Sequence, residues 1–356
     1  MLDFIIIGQG LAGSVLGYML MKRGKKVLVS DGLSVRSASS VAAGIFNPIT
    51  GKRMLKTWRA DELFPFMIDF YTEMEDTLKG SFLHLRPIYK PFSSIQEQNH
   101  WVSQTSFADM ENFVSASLNA DKYGKYIYDS FGGFETRMSG NVDVKLMVEL
   151  CRSYFMANEA FVNEEFRAID LEITNDCVVW KKRKAKCIIF CEGSNAVHNS
   201  FFGWVPFVPA KGEVLTLKVE GLTEEVIFNK AGFIMPSGKK AFKAGATYEW
   251  DFADEEPSSA GRQEIERKLD GFLKLPYNVI EHEAAVRPTI KDRRPVIGLH
   301  PQYKTLAIFN GLGTKGVSLA PFFANNFCDF LAGTKELDAA VNINRFQKLY
   351  YTLQKN

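Results

Sequence analysis

The sequence has little of what marks a disulfide scaffold or a metal site. Its five cysteines (Cys151, Cys177, Cys187, Cys191 and Cys328) are odd in number and show no CxxC spacing. That pattern predicts reduced thiols and a cytoplasmic setting, and it argues against a zinc site. The five histidines are scattered with no HExxH, so no metal is expected. An excess of one charge is missing too. A net charge of +2 offers no strong field to recruit nucleic acid or an anionic membrane. Low-complexity tracts and internal repeats are absent. What is present is an ordinary globular composition, 46% hydrophobic and 24% charged, in a chain of 356 residues. That length supports two domains with cores of their own. The 13% aromatic content, led by 29 Phe, suits large apolar interfaces around a flat ligand and ordinary core packing alike.

One long uncharged run, Phe4 to Met21, could pass for a signal peptide or a membrane span. It lacks a positive flank before it, and glycines interrupt it at positions 8, 10, 13 and 17. The run reads instead as a buried strand followed by a buried helix. Phe4-Ile5-Ile6-Ile7 is short, wholly apolar and largely β-branched, as in a strand covered on both faces. It leads into Gly8-Gln9-Gly10-Leu11-Ala12-Gly13, a helical stretch from Ser14 to Lys22, and a second strand from Lys26 to Ser30 that ends at Asp31. In a dinucleotide fold the first glycine makes the turn, the second lets backbone approach a pyrophosphate, and the third packs helix on sheet. The helix N-terminus then offers N–H groups and a positive dipole end to the phosphates. Asp31 stands where a carboxylate accepts from ribose hydroxyls, which disfavours a 2′-phosphate and hence NADP. This motif alone leaves FAD and NAD open.

Further segments resemble one family in the right order along nearly the whole chain. Ser39-Ser40-Val41-Ala42-Ala43-Gly44 and the residues to Pro48 resemble the small-residue loop that follows the second strand in the D-amino-acid oxidase superfamily. Lys186 to Asn195 is similar to its third dinucleotide-domain strand, with the usual Ala-Thr-Gly ending altered to Cys191-Glu192-Gly193. Pro209-Ala210-Lys211-Gly212-Glu213 and Gly245-Ala246-Thr247 resemble two further family segments, the second closing a hairpin that starts at Phe233. Ala285-Val286-Arg287-Pro288-Thr289, then Asp292 to Gly298, and finally Asn310 to Pro321 resemble its C-terminal signature. The chain is therefore identified as a member of this superfamily, resembling glycine oxidase, sarcosine oxidase and the oxidase domain of the bifunctional tRNA-modification enzyme.

The resemblance implies an α/β protein with a Rossmann-like, doubly wound FAD-binding domain at residues 1–75, 140–205 and 283–356. A discontinuous α+β substrate domain on a mostly antiparallel sheet would occupy residues 76–139 and 206–282. It implies an FAD site from Gly8, Gly10, Leu11, Ala12, Gly13, Asp31, Ser39, Ser40, Ala43, Gly44, Phe166, Gly193, Gly311, Gly313, Thr314, Lys315 and Gly316. The last five form a loop whose N–H groups would face the flavin, with Pro321 expected near the first turn of the following helix. Arg287 matches the arginine that clamps the substrate carboxylate, a task suited to a guanidinium fork. Lys315 is the second catalytic candidate, and Tyr248 and Trp250 are candidates for the substrate pocket. Where relatives carry His and Arg, this loop has Leu312 and Thr314, which puts a plain glycine or D-amino-acid substrate in doubt. Non-covalent FAD is expected, because no cysteine occurs between Cys191 and Cys328, where the sarcosine oxidase branch attaches it.

The implied activity is oxidation of a C–N bond in an amino acid or N-substituted amine by hydride transfer to the flavin. Oxygen or another acceptor would take the electrons. Three alternatives stand beside it: a tRNA-modifying oxidase, for which the basic stretch from Gly51 to Arg59 is the only support; an NAD-dependent reductase; and a flavin-binding protein without turnover. Helix Val144 to Phe155, capped by Asp143, is expected in the core of the FAD domain.

Overall fold

The computed structural model describes residues 1–32, 37–51, 54–105, 110–115 and 120–355. The apolar run at the start forms the strand Leu2–Ile7, with parallel neighbours Val27–Ser30 on one side and Arg183–Phe190 on the other. Phe161–Val162 adds beyond Val27–Ser30, and Leu306–Asn310 runs parallel beside Arg183–Phe190. Three antiparallel pieces, Leu171–Ile173, Val178–Trp180 and Val296–Leu299, complete an eight-stranded sheet.

Successive side chains of a strand point to opposite faces, and here both faces are covered. Phe4 and Ile6 join a core that includes residues of the helices Leu11–Lys22, Val144–Ala157 and Gly316–Leu331. Ile5 and Ile7 face the other way, toward Trp180, Phe190, Phe202 and Ile343. The helix Val144–Ala157 begins as its sequence implies, with the Asp143 carboxylate accepting from the Leu146 amide at 3.0 Å.

A second sheet has seven strands in the order Asn278–Arg287, Ala210–Lys218, Ala241–Gly245, Phe233–Pro236, Ile227–Asn229, Ile88–Pro91 and Gly133–Thr136. All neighbours are antiparallel except Ile227–Asn229 with Ile88–Pro91. The helix Ser259–Asp270 packs through Ile265 and Leu269 against Leu215, Leu217 and Phe242. Its N-terminus is held by buried Glu213, which accepts from the Ser258 amide at 3.0 Å and the Ser258 hydroxyl at 2.8 Å. The architecture is the expected one, a doubly wound parallel sheet beside an α+β unit on a mostly antiparallel sheet. No helix among the described residues is long and apolar enough to cross a membrane.

One sequence reading changes. Pro321 lies in the second turn of the helix Gly316–Leu331, because that helix starts at Gly316 and is entered from a 3₁₀ turn at Gly313–Lys315. In the basic stretch, Lys56 pairs with Asp61 at 2.9 Å, and Arg59 pairs with Glu62 and Asp338. Those two charges are neutralised within the fold, while Lys52 and Arg53 lie outside the described residues.

Candidate functional site

A cleft of about 1330 Å³ lies where the strands of the first sheet end, lined by Ile7, Ser30, Cys191 and Asn310 at their carboxyl ends. In open α/β sheets such crevices are where ligands bind. The glycine turn forms one wall. Gly8 has φ 95°, and a side chain there would meet the Cys191 carbonyl at 2.6 Å. A Cβ on Gly13 would stand 1.9 Å from the Gly8 carbonyl, so the helix can sit this close only with glycine.

The helix Leu11–Lys22 points its N-terminus into the cleft with no side-chain cap from Gly10. Such an end presents N–H groups and positive potential to an anion. The Leu11 amide donates to Ser39 Oγ at 2.9 Å, so the Ser39 hydroxyl accepts from the helix and can donate onward. Ser39 and Ser40 sit on the single turn Ala38–Val41, and Ser40 closes a capping box with Ser37. Asp31 Oδ2 accepts from the Gln9 amide at 3.3 Å.

The structure brings into the cleft Gly8, Gly10, Leu11, Ala12, Asp31, Ser39, Ser40, Ala43, Gly44, Phe166, Gly193, Tyr248, Arg287, Gly313, Thr314, Lys315 and Gly316. Gly13, Gly311 and Trp250 do not line it. Gly13 is buried on the helix face that meets Gly8, Gly311 turns against Ile290 and Val296, and Trp250 packs against Tyr248 with ring centroids 4.8 Å apart.

Arg287 ends the strand Asn278–Arg287 and is half-buried. Nη1 donates to the carbonyls of Lys211 at 3.2 Å and Thr247 at 3.3 Å, and Nη2 donates to Thr247 at 3.3 Å. The guanidinium lies 5.1 Å from the Tyr248 ring centroid. Among the described residues no carboxylate pairs with it, and burial lowers its basicity. Gly212 makes the room it occupies, since a Cβ there would stand 1.9 Å from Nη2. Lys315 is half-buried in the cleft wall, its Nζ 3.5 Å from Thr50 Oγ1 and 3.4 Å from Thr57 Oγ1.

Sequence reasoning passed over several cleft residues. Lys145, Val148, Glu149 and Arg152 line it from one face of the helix Val144–Ala157. Their spacing of three and four is a helix stripe, a signal that was present but easily read as core. Arg152 Nε donates to Gln9 Oε1 at 2.7 Å, while the Gln9 amide group donates to Ser14 Oγ and the Val148 carbonyl. Glu192 also lines the cleft. Its carboxylate accepts from Asn199 Nδ2 at 2.6 Å, and burial pushes its pKa up to about 7.

Comparison with known proteins agrees with this geometry. The family model DAO, FAD dependent oxidoreductase, matches residues 3–329. Glycine oxidase from Bacillus licheniformis is 23% identical, with 93% of each chain covered. The tRNA 5-methylaminomethyl-2-thiouridine biosynthesis bifunctional protein MnmC from Saccharophagus degradans is 22% identical over 92% of this chain, which spans 52% of that protein. The crystal structure of glycine oxidase from Bacillus cereus superposes with a TM-score of 0.80 at 18% identity, covering 95% of this chain and 96% of that one.

Proposed function

This chain belongs to the DAO family of FAD-dependent oxidoreductases, and we propose that it oxidises the C–N bond of an amino acid or of an N-substituted amine that carries a carboxylate. The observation that carries the reading is Arg287, a half-buried guanidinium in the cleft that pairs with no acid among the described residues. Its Nη1/Nη2 end is taken by backbone carbonyls. The Nε–H and the second Nη2–H form a side-on edge that makes no hydrogen bond among the described residues. Two parallel donors of that kind match a carboxylate.

The cleft fits FAD on features of the chain itself. The helix end at Leu11, whose first amide donates to the Ser39 hydroxyl, suits a pyrophosphate at its following N–H groups, and Asp31 just past Val27–Ser30 suits a ribose. Non-covalent attachment is supported by Cys191, the only cysteine lining the cleft among the described residues, whose thiol pKa is held well above its ordinary value by burial. At the other end, Gly313–Lys315 and the start of the helix Gly316–Leu331 would face the flavin. When bound, FAD supplies a two-electron acceptor for the hydride on the carbon beside nitrogen. The residues here hold the substrate carboxylate, exclude water and fix orientation. The positive charges of Arg287 and Lys315 also lower the pKa of a substrate ammonium nearby, favouring the neutral amine that hydride loss requires.

The test is the absorption spectrum of purified protein before and after anaerobic addition of pooled amino acids and N-methyl amines. Flavin bands released by acid and bleached by an amine are expected, whichever acceptor operates in air. A colourless protein that cannot be reconstituted with FAD would overturn the reading. The tRNA alternative gains nothing from Lys56 and Arg59, whose charges are matched by Asp61, Glu62 and Asp338.

A further inference from the structure

The dinucleotide turn carries a long polar side chain between its first two glycines. Gln9 is 1% exposed, and both of its amide donors and its carbonyl oxygen are engaged. Nε2 donates to Ser14 Oγ at 3.0 Å and to the Val148 carbonyl at 2.9 Å, which fixes the plane of the amide. Oε1 is thereby aimed at a single donor, Arg152 Nε, at 2.7 Å. A buried amide satisfied in this way holds its partner in one orientation.

Arg152 uses only that one N–H. Among the described residues Nη1 and Nη2 make no hydrogen bond and the guanidinium forms no ion pair, although Glu149 lies one turn earlier on the same helix face. The side chain is half-buried, with Cζ 5.9 Å from the Phe161 ring centroid, and it lines the cleft. The donors left free at the end of a locked cation form a fork that phosphate oxygens accept from. Its place in the fold points to the same anion. The helix Val144–Ala157 packs on the helix Leu11–Lys22 and on the turn Ala38–Val41, which hold Leu11 and Ser39. Residue 9 also ties Arg152 to the ribose end, since the Gln9 amide donates to Asp31 Oδ2 at 3.3 Å. Asp31, Glu149 and Glu192 line the same cleft, whereas the N–H groups of a helix end carry only partial positive charge. A pyrophosphate beside those carboxyls needs a full cation, and Arg152 is the one fastened to the turn.

We propose that Arg152, held in place by Gln9, binds the adenylate-side phosphate of FAD, so that this chain distinguishes the dinucleotide from a free flavin by charge. This rests on the reading that FAD occupies the cleft, and it is independent of the substrate. The glycines shape the turn for backbone contact. The Gln9–Arg152 pair adds a charged contact that the turn itself does not contain, with its orientation fixed before the ligand arrives.

The test titrates apoprotein with FAD, ADP, adenosine and riboflavin, read by flavin fluorescence and calorimetry at fixed pH. Arg152→Met should weaken FAD and ADP alike, by at least about tenfold, and leave adenosine and riboflavin within about twofold. It should also flatten the salt dependence of FAD affinity, because the contact it removes is one that salt screens. Arg152→Lys keeps the charge without the fork and should fall between wild type and Arg152→Met. Gln9→Leu leaves the cation in the chain but unlocked. It should weaken FAD and ADP to a smaller extent, and add nothing once Arg152 is already methionine. Unchanged FAD affinity in Arg152→Met, an equal loss of adenosine, or a loss of FAD that spares ADP overturns the proposal. If Arg152→Met fails to fold, Arg152→Lys and Gln9→Leu carry the same comparison of ADP with adenosine. A wild type that binds neither FAD nor ADP overturns the FAD reading itself, and this proposal with it. Turnover does not enter these readouts.

Discussion

The Tyr71 hydroxyl donates to the Val317 carbonyl at 3.0 Å, and that carbonyl is the one Pro321 leaves without an amide partner. In an α-helix the carbonyl of residue 317 would accept from the amide of residue 321. Proline has none, and its ring also crowds that carbonyl. Tyr71 is fully buried, so its phenol fills the vacancy from the helix Ala60–Leu78. The helix that leaves the candidate flavin loop is thereby tied to a helix 246 residues earlier in the chain. Tyr71→Phe should destabilise by about 1–3 kcal/mol, the cost of an orphaned buried carbonyl. Adding Pro321→Ala should recover part of that loss, because alanine restores the missing backbone amide. Chemical denaturation of the two single variants and the double variant measures the coupling. Additive effects would sink the idea.

This tie also marks what a sequence can and cannot reveal. Local order was legible: Phe4 to Asp31 reads as strand, turn, helix and strand, and the Asp143 cap sits where its spacing puts it. Those features depend on neighbours within a few residues. The proline was misplaced by a turn because the helix start is set by the 3₁₀ entry at Gly313–Lys315, and its partner is far away in sequence. The Gln9–Arg152 lock, the Thr50–Thr57 platform under Lys315 and the space that Gly212 gives Arg287 are likewise long-range. None leaves a local pattern.

Gly212→Ala offers a direct probe of the Arg287 pocket. The added methyl would stand 1.9 Å from Nη2 and 2.1 Å from Cζ, so the guanidinium must move. The carbonyl bonds to Lys211 and Thr247 would break and the side-on edge would turn away. We expect the affinity for mono-carboxylate ligands to fall at least about tenfold, with the flavin spectrum unchanged. Titration of the holoprotein checks this. Unchanged ligand affinity would show that Arg287 is not the carboxylate anchor.

Stability should fall in mild acid because of His300. The ring is 2% exposed, stacks on Tyr303 and meets Phe202 and Tyr350 edge-on. Its Nδ1 accepts from the amides of Gln302 and Tyr303, so a proton there would face two donors. Burial lowers its pKa from 6.5 to about 4. The unfolded chain therefore takes up a proton first, and stability declines as pH falls from about 6.5 to about 4 before levelling off. The full contribution is roughly 3 kcal/mol. Thermal melts across this window in wild type and His300→Gln should differ in slope, the variant losing less. Identical slopes would assign the acid loss to other groups.

Glu192 should make FAD affinity depend on pH in the opposite sense. Its backbone adjoins the first glycine of the dinucleotide turn, with Cα 3.3 Å from where a Gly8 Cβ would stand, and its side chain lines the same cleft. Burial raises its pKa from 4.5 to about 7, with the Asn199 hydrogen bond opposing the shift. A carboxyl with a raised folded pKa is neutral below that value and ionises as pH rises through it. Below about 7 the group would present no charge to a pyrophosphate; above, it would add repulsion beside the proposed phosphate site. FAD should raise the pKa further and bind together with a proton, by linkage. Affinity for FAD is then expected to weaken by up to about tenfold per pH unit above 7 until the bound-state pKa is passed. Glu192→Gln should remove most of that slope and leave affinity near the wild type's low-pH value. Fluorescence titration of apoprotein with FAD from about pH 6 to about pH 9 reads both. A flat wild-type profile, or a slope that persists in Glu192→Gln, would place the carboxyl outside the reach of the phosphates.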